Sequence, residues 1–224
     1  MGAGDRWRYE DRRGAGRELA AFVRRLDLPE PVVLALPRGG VPVAYEVATA
    51  LGAPLDVIIV RKLAVPGNPE VGMGAITDGP APRVFIDSAT VAALRIEQGE
   101  IDAEIARQSE ELERRRRAYV GDRPAPSVRQ RSVVLVDDGI ATGGTTRVAI
   151  EALQQVQPRK LILAVPIAPP SVLTALRPLV DDIVCLSSPK QFFAVGQAYR
   201  DFDQTTDEEV IDLLSRARDQ RGAA

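Results

Sequence analysis

The sequence contains no histidine and a single cysteine, Cys185. The first absence removes Ser-His-Asp and Cys-His catalysis, histidine metal sites and histidine acid–base chemistry. The second excludes an internal disulfide and fits a reducing, cytoplasmic setting. Cys185 lies in an apolar stretch and reads as a core thiol, not a nucleophile. Aromatics are scarce, 4% of residues. No apolar run approaches the roughly 20 residues that span a bilayer, and the polar start, residues 1–13, does not read as a signal peptide. Charge is nearly balanced, with a formal net of −2. The overall field therefore draws the chain neither to nucleic acid nor to an anionic membrane, and an anionic ligand needs local groups to hold it.

What is present is a chain of 224 residues, 45% hydrophobic and 27% charged, the balance of a globular domain. Residues 11–25 have helical spacing at Leu19, Ala20, Phe22, Val23 and Leu26. Residues 31–36 form a short apolar run that ends in Pro37-Arg38-Gly39-Gly40, a buried strand and a tight loop. A helix over residues 43–51 stops at Gly52. Residues 55–60 read as a second strand, closed by Arg61-Lys62. A glycine- and proline-rich stretch, 65–82, follows, with weak strand character near Ala75-Ile76 and over 84–86. Residues 87–119 read as one long exposed helix with acid-before-base pairs four residues apart, such as Glu111–Arg115 and Glu113–Arg117. Those glutamates neutralise the Arg114–Arg117 cluster, so it reads as a solvated face.

Then come a strand (132–136), a loop (137–145), a helix (146–156), a strand (161–165), a helix (171–176) and a strand (183–186). Alternating strands and helices predict an α/β fold, a parallel sheet flanked by helices, with ligands beyond the carboxyl ends of strands. The division expected is a core over 1–190, including a flexible loop and helix at 63–119, and a C-terminal appendage over 191–224.

The chemistry concentrates in residues 137–145. A buried strand delivers two adjacent carboxylates, Asp137 and Asp138. The loop of small residues that follows, Ala141-Thr142-Gly143-Gly144-Thr145, leads into a helix. Consecutive amides and a helix N-terminus cradle an anion, and the threonine hydroxyls add donors. The carboxylates suit vicinal hydroxyls, or a Mg²⁺ shared with them. The loop has no lysine of the P-loop type, and no dinucleotide fingerprint follows any strand. Phosphate joined to ribose hydroxyls is the fragment this pattern describes.

This segment closely resembles the signature with which type I phosphoribosyltransferases bind 5-phosphoribosyl-1-pyrophosphate (PRPP). The resemblance implies that Asp137 and Asp138 contact the ribose hydroxyls and that residues 141–145 wrap the 5′-phosphate. It implies a pyrophosphate loop at Arg38-Gly39-Gly40, with Arg61 and Lys62 as further cations and Arg38 and Lys62 in catalytic roles. It also implies Mg²⁺, and displacement of pyrophosphate from C1 by a nitrogen nucleophile. Small-molecule substrates are expected, with no nucleic acid and no membrane. The loop looks more like those of adenine- or orotate-type relatives than of 6-oxopurine relatives. Phe192 and Phe202 either stack on the acceptor or form the small core of the C-terminal segment; both readings stay open. The Pro37–Arg38 peptide is either cis, as family members often have there, or trans. The Glu/Arg-rich helix is expected at the domain's edge or in a homodimer interface. A regulator that senses PRPP without turnover is the alternative to an enzyme.

Overall fold

The computed structural model describes residues 8–79 and 82–222. Helix α1 (Arg12–Val23) opens on Asp11, whose side chain accepts from the Gly14 amide at 2.6 Å, and buries Leu19, Ala20 and Val23. Strand β1 (Pro31–Ala35) leads through a tight loop into α2 (Gly40–Leu51), which ends at Gly52 in the left-handed region, φ 60°. The edge strand β2 (Leu55–Val57) follows. After an inserted segment the alternation resumes with β6 (Ser132–Val136), α5 (Gly144–Gln155), β7 (Lys160–Ile167), α6 (Pro170–Leu176), β8 (Asp182–Ser187) and α7 (Asp207–Gly222). Five strands form one sheet in the order β2-β1-β6-β7-β8, every pair parallel.

The near-continuous apolar runs of these strands are what a sheet covered on both faces requires. Side chains alternate between the faces. Val33, Ala35, Val134, Val136, Ile162 and Ala164 join the cluster built with α1, α2, α4 (Gln98–Val120) and α7. Val32, Leu34, Val133, Leu135, Leu161 and Leu163 join the cluster built with α5 and α6. From the C-terminal segment, α7 contributes Val210, Leu213, Leu214 and Ala217 to the first of these cores. Cys185 is half-buried and packs against the second. No helix among the described residues is long and apolar enough to cross a membrane.

The inserted segment departs from the sequence reading. The β-branched run expected as one strand divides at Ile58, whose amide makes a last bond to Ala35 in the main sheet. The chain then continues as β3 (Ile59–Val65) in a second, antiparallel sheet with β4 (Asn68–Asp78) and β5 (Arg83–Ile86). Arg61 and Lys62 therefore lie within a ribbon, not at the end of a core strand. β-Propensity marks an extended segment without saying which sheet it joins. Of the glycines that suggested a loop over 65–82, Gly72 and Gly74 sit inside β4, while Gly67 and Gly79 flank it at positive φ. At Gly74 a Cβ would stand 3.1 Å from the Phe85 carbonyl carbon, so a bare backbone is what permits pairing with β5.

The single helix expected over 87–119 is two, α3 (Ser88–Leu94) and α4 (Gln98–Val120). Arg95 ends the first at φ 53°, and Glu97 with Glu100 forms a capping box that starts the second. Helix α5 begins at Gly144, two residues before its expected start. Of the ion pairs expected on α4, Glu111–Arg115 and Glu113–Arg117 form at 2.7 and 3.1 Å.

If α7 is part of the main cooperative unit, truncating one of its fully buried side chains lowers global stability. Leu214 is 1% exposed, and Leu214→Ala is expected to cost about 2–5 kcal/mol in urea-induced unfolding, in one transition. An unchanged midpoint, or a separate early transition, would contradict this packing.

Candidate active site

Strands β1 and β6 are neighbours in register, Ala35 opposite Val136, so the two loops beyond their carboxyl ends meet. The Leu36 amide still reaches the Val136 carbonyl at 2.9 Å, and the Pro37–Arg38 peptide is cis. Gly39 and Gly40 then press against the acid pair. A Cβ on Gly39 would overlap the Asp138 carboxylate, and one on Gly40 would stand 2.9 Å from the Val136 carbonyl oxygen. The paired glycines are thus a condition for bringing the Arg38 loop onto the carboxylates.

The two acids differ in their partners. Asp137 accepts the Asp138 amide at 2.9 Å. Its residue surface is only partly covered, yet protein packs densely around the carboxyl group, and that density governs its titration. Burial, with the Asp138 charge next, holds its pKa well above the ordinary carboxylate range. Asp138 is also pushed up by burial, with Arg12 opposing the shift. The Arg12 Nε lies 2.7 Å from Asp138 Oδ2, with the two side chains 12% and 13% exposed. Arg12 further donates to the Asp203 carbonyl at 2.7 Å and lies 3.8 Å above the Phe202 ring. The Tyr199 hydroxyl donates to the Asp138 carbonyl, and burial pushes that hydroxyl's pKa upward.

Beyond the acids, the Ile140 amide bonds to the Ile167 carbonyl at 2.9 Å, which turns residues 141–145 outward. Gly143 takes φ 80° and caps α5 without a side-chain hydrogen bond. The first-turn amides of α5 therefore keep donors for an external acceptor. Ala141, Thr142, Gly144 and Thr145 are exposed, and no atom lies within 4 Å of where a Gly144 Cβ would be. An open cradle of amides and hydroxyls at a helix N-terminus is suited to a phosphate.

At the other loop, the half-exposed Arg38 has its Nη1 3.7 Å from Asp207 Oδ1, on the first turn of α7. Tyr119 from α4 donates to the same oxygen at 2.7 Å. Burial and that carboxylate push the Tyr119 hydroxyl up to about 12. Arg61 donates to Gln108 of α4 at 2.9 Å, and Lys62 to the Glu70 carbonyl at 3.2 Å. Among the described residues, neither shares a hydrogen bond or ion pair with the 37–40 or 137–145 loops. The sites expected at Arg38-Gly39-Gly40, Asp137-Asp138 and 141–145 come together; Arg61 and Lys62 stand apart on the ribbon.

Phe192 and Phe202 pack with Tyr9, Ile167, Ala198 and Tyr199 in a small third cluster, with Phe202 stacked on Tyr199 at 5.0 Å. Phe193, in contrast, is 82% exposed. The sequence reading missed Arg12, Asp207 and the bond of Tyr199 to Asp138, though it counted Tyr199 among the C-terminal aromatics. Each acts across more than 60 residues of chain, where no local spacing betrays the contact.

As to a metal, the acid pair offers hard oxygen donors of the type Mg²⁺ takes, and a cation there would favour the charged form of a buried pair. No group of three or more histidine, cysteine, aspartate or glutamate side chains among the described residues could hold an ion by itself. A Mg²⁺ at Asp137 and Asp138 would complete its shell with water and substrate oxygens.

The sequence model of the phosphoribosyl transferase domain matches residues 9–201 of the chain. The chain belongs to the phosphoribosyl transferase family. It is 44% identical over 209 residues to proteins named "Putative phosphoribosyl transferase" in two strains of Mycobacterium tuberculosis, CDC 1551 / Oshkosh and ATCC 25618 / H37Rv. That alignment covers 93% of this phosphoribosyl transferase chain and 47% of each relative, so the chain spans about half the length of the curated relatives it matches. The crystal structure of TT1426 from Thermus thermophilus superposes with a TM-score of 0.80 at 42% identity, covering 93% of this chain and 98% of that one.

The raised carboxyl pKa values carry a sign. In the window from about pH 4, the unfolded value, up to the raised folded values, the native state binds more protons than the unfolded state. Stability therefore falls as pH rises through that window. Asp137→Asn removes the more strongly shifted group. It is predicted to give a higher urea midpoint than the parent at pH 7.5 and a flatter profile from pH 5 upward. A midpoint at or below the parent's at pH 7.5 would contradict the assignment of cause.

Proposed function

We propose that this chain transfers the 5-phosphoribosyl group of PRPP to a nitrogenous acceptor with release of pyrophosphate, in a Mg²⁺-dependent reaction. The observation that carries the reading is the meeting of two loops: a glycine pair bearing Arg38, and an acid pair followed by an open amide cradle. These three features match, end to end, a pyrophosphate, a ribose diol and a 5′-phosphate. Family membership supports the same reaction type.

In this reading the 141–145 amides and hydroxyls bind the 5′-phosphate and fix the ribose, and the carboxylates accept from its 2′- and 3′-hydroxyls. The amides of Gly39 and Gly40 and the Arg38 guanidinium bind the departing pyrophosphate. As the acceptor nitrogen bonds to C1, the C1–O bond to pyrophosphate breaks, and negative charge grows on the leaving oxygen beside Arg38. Mg²⁺, when bound, neutralises pyrophosphate and screens the acid pair. Positioning and charge stabilisation suffice, so a chain without histidine is adequate. Any contribution of Arg61 and Lys62 would need their ribbon to approach the loop.

That separation gives a second reading its footing. A chain that senses PRPP needs the phosphate and ribose contacts but fewer cations at the leaving end. Incubation with PRPP, Mg²⁺ and a panel of purine and pyrimidine bases, followed by pyrophosphate release, separates the two.

Asp137→Ala and Asp138→Ala are each expected to weaken PRPP binding strongly in a Mg²⁺-containing calorimetric titration. Arg38→Ala should lower kcat/KM by about 2–4 kcal/mol, while Lys62→Ala, tethered to the Glu70 carbonyl, is expected to have a smaller effect. Parental affinity in both aspartate variants would refute the site. Binding intact in the parent with no pyrophosphate released by any base would favour the sensor.

A further inference from the structure

Three guanidinium groups converge at the edge of the main sheet, away from the acid pair. The Arg116 side chain from α4, Arg123 from the segment after it and Arg218 from α7 line a cavity of about 170 Å³ beside β2. Pro54, Val120 and Pro124 supply apolar wall. Strand β1 lies between β2 and β6, so the cavity and the 137–145 loop stand at different strands of the sheet.

The charges do not balance. Asp56 is the one carboxylate among these lining residues, and it is already engaged: its Oδ1 accepts the Val57 amide at 2.8 Å and its Oδ2 the Arg116 Nη2 at 3.2 Å. The Arg116 Nε forms a long ion pair with Asp78 Oδ2 at 3.8 Å, and among the described residues Arg116 Nη1 is buried without a hydrogen-bond partner. Among the described residues neither Arg123 nor Arg218 forms an ion pair. Arg123 donates Nε to the Val120 carbonyl at 2.8 Å, and Arg218 donates Nη2 to Ser215 at 2.9 Å, which leaves other N–H groups on both. Burial, together with the neighbouring Arg218 charge, pushes the Arg123 pKa down, the mark of a guanidinium short of negative charge. A buried guanidinium donor left unmatched is costly, so the arrangement calls for an anion.

We infer that this cavity is a binding site for a small phosphomonoester, held by Arg116, Arg123 and Arg218. Guanidinium forks match the several acceptor oxygens of a phosphate, and more of them than one carboxylate could engage. The ester's organic group has room in an adjoining cavity of about 440 Å³, which shares Arg116 and Arg123 and sets Ile76 and Leu112 beside the carboxylates of Asp78, Glu113 and Asp122. The site joins α4, the loop after it and α7. Since α7 also carries Asp207, the partner of Arg38, an occupant here would bear on the element that holds the Arg38 loop.

The test is an amide NMR titration of the full chain with inorganic phosphate and with phenyl phosphate, at constant ionic strength. Saturable shifts are expected at residues 116–126 and 215–218, and tighter binding of phenyl phosphate than of phosphate. Arg123→Gln, at a half-buried position, and Arg218→Gln, at an exposed one, should each weaken these shifts about ten-fold while leaving any shifts at 141–145 unchanged. Shifts confined to 141–145 would overturn this site while supporting the phosphate cradle proposed above. Shifts that grow linearly, that chloride reproduces, or that persist in both variants would also overturn it.

Discussion

Two carboxylates sit side by side at the end of a buried parallel strand, and much of the molecule is arranged around making that tolerable. Charged carboxyls without partners are expensive in such a place. Asp138 is matched by Arg12, reaching from the first helix, and its backbone carbonyl is held by Tyr199, near the other end of the chain. Asp137 accepts the neighbouring Asp138 amide, and burial holds its carboxyl well above the ordinary carboxylate range. The asymmetry leaves one acid matched by the Arg12 guanidinium and the other held mainly by its neighbour's amide.

The same pair explains the glycines. Side chains at 39 and 40 would strike the carboxylate and strand end that they must approach, so the backbone of one loop becomes part of the wall of the other. The second sheet, by contrast, serves the site indirectly. It packs with α4, and α4 brings Tyr119 to Asp207 and so to Arg38. The insertion therefore braces the Arg38 loop through a helix, while Arg61 and Lys62 stay bonded within the ribbon and to α4.

The main sheet and the 137–145 loop were legible in the sequence because their signals are local. Apolar runs of five residues, an acid pair and small residues before a helix all fall within one short window. The loops at 37–40 were readable for the same reason. The ribbon was not: Ile58 is a point where a continuous β-branched run changes sheets, and nothing in side-chain character at that point differs from its neighbours. Arg12 was invisible because its meaning lies in a contact with Asp138, 126 positions away. Phe192 and Phe202 were recognisable as a cluster, and their shared packing with Tyr199 accounts for the clustering.

Arg12 has a kinetic side as well. It ties residues at the start of the chain to Asp138 and, through the Asp203 carbonyl, to a stretch 191 positions on, while Tyr9 bridges to Tyr199. Contacts between such distant positions close the largest loops in the chain, and they form late because loop closure must precede them. A growing chain can assemble β1, α2 and much of the sheet before residues 199–207 exist. Until those residues arrive, the acid pair lacks its full setting. The setting of the acid pair thereby depends on residues 199–207, and a chain made only as far as the sheet holds an acid pair whose surroundings are still unfinished.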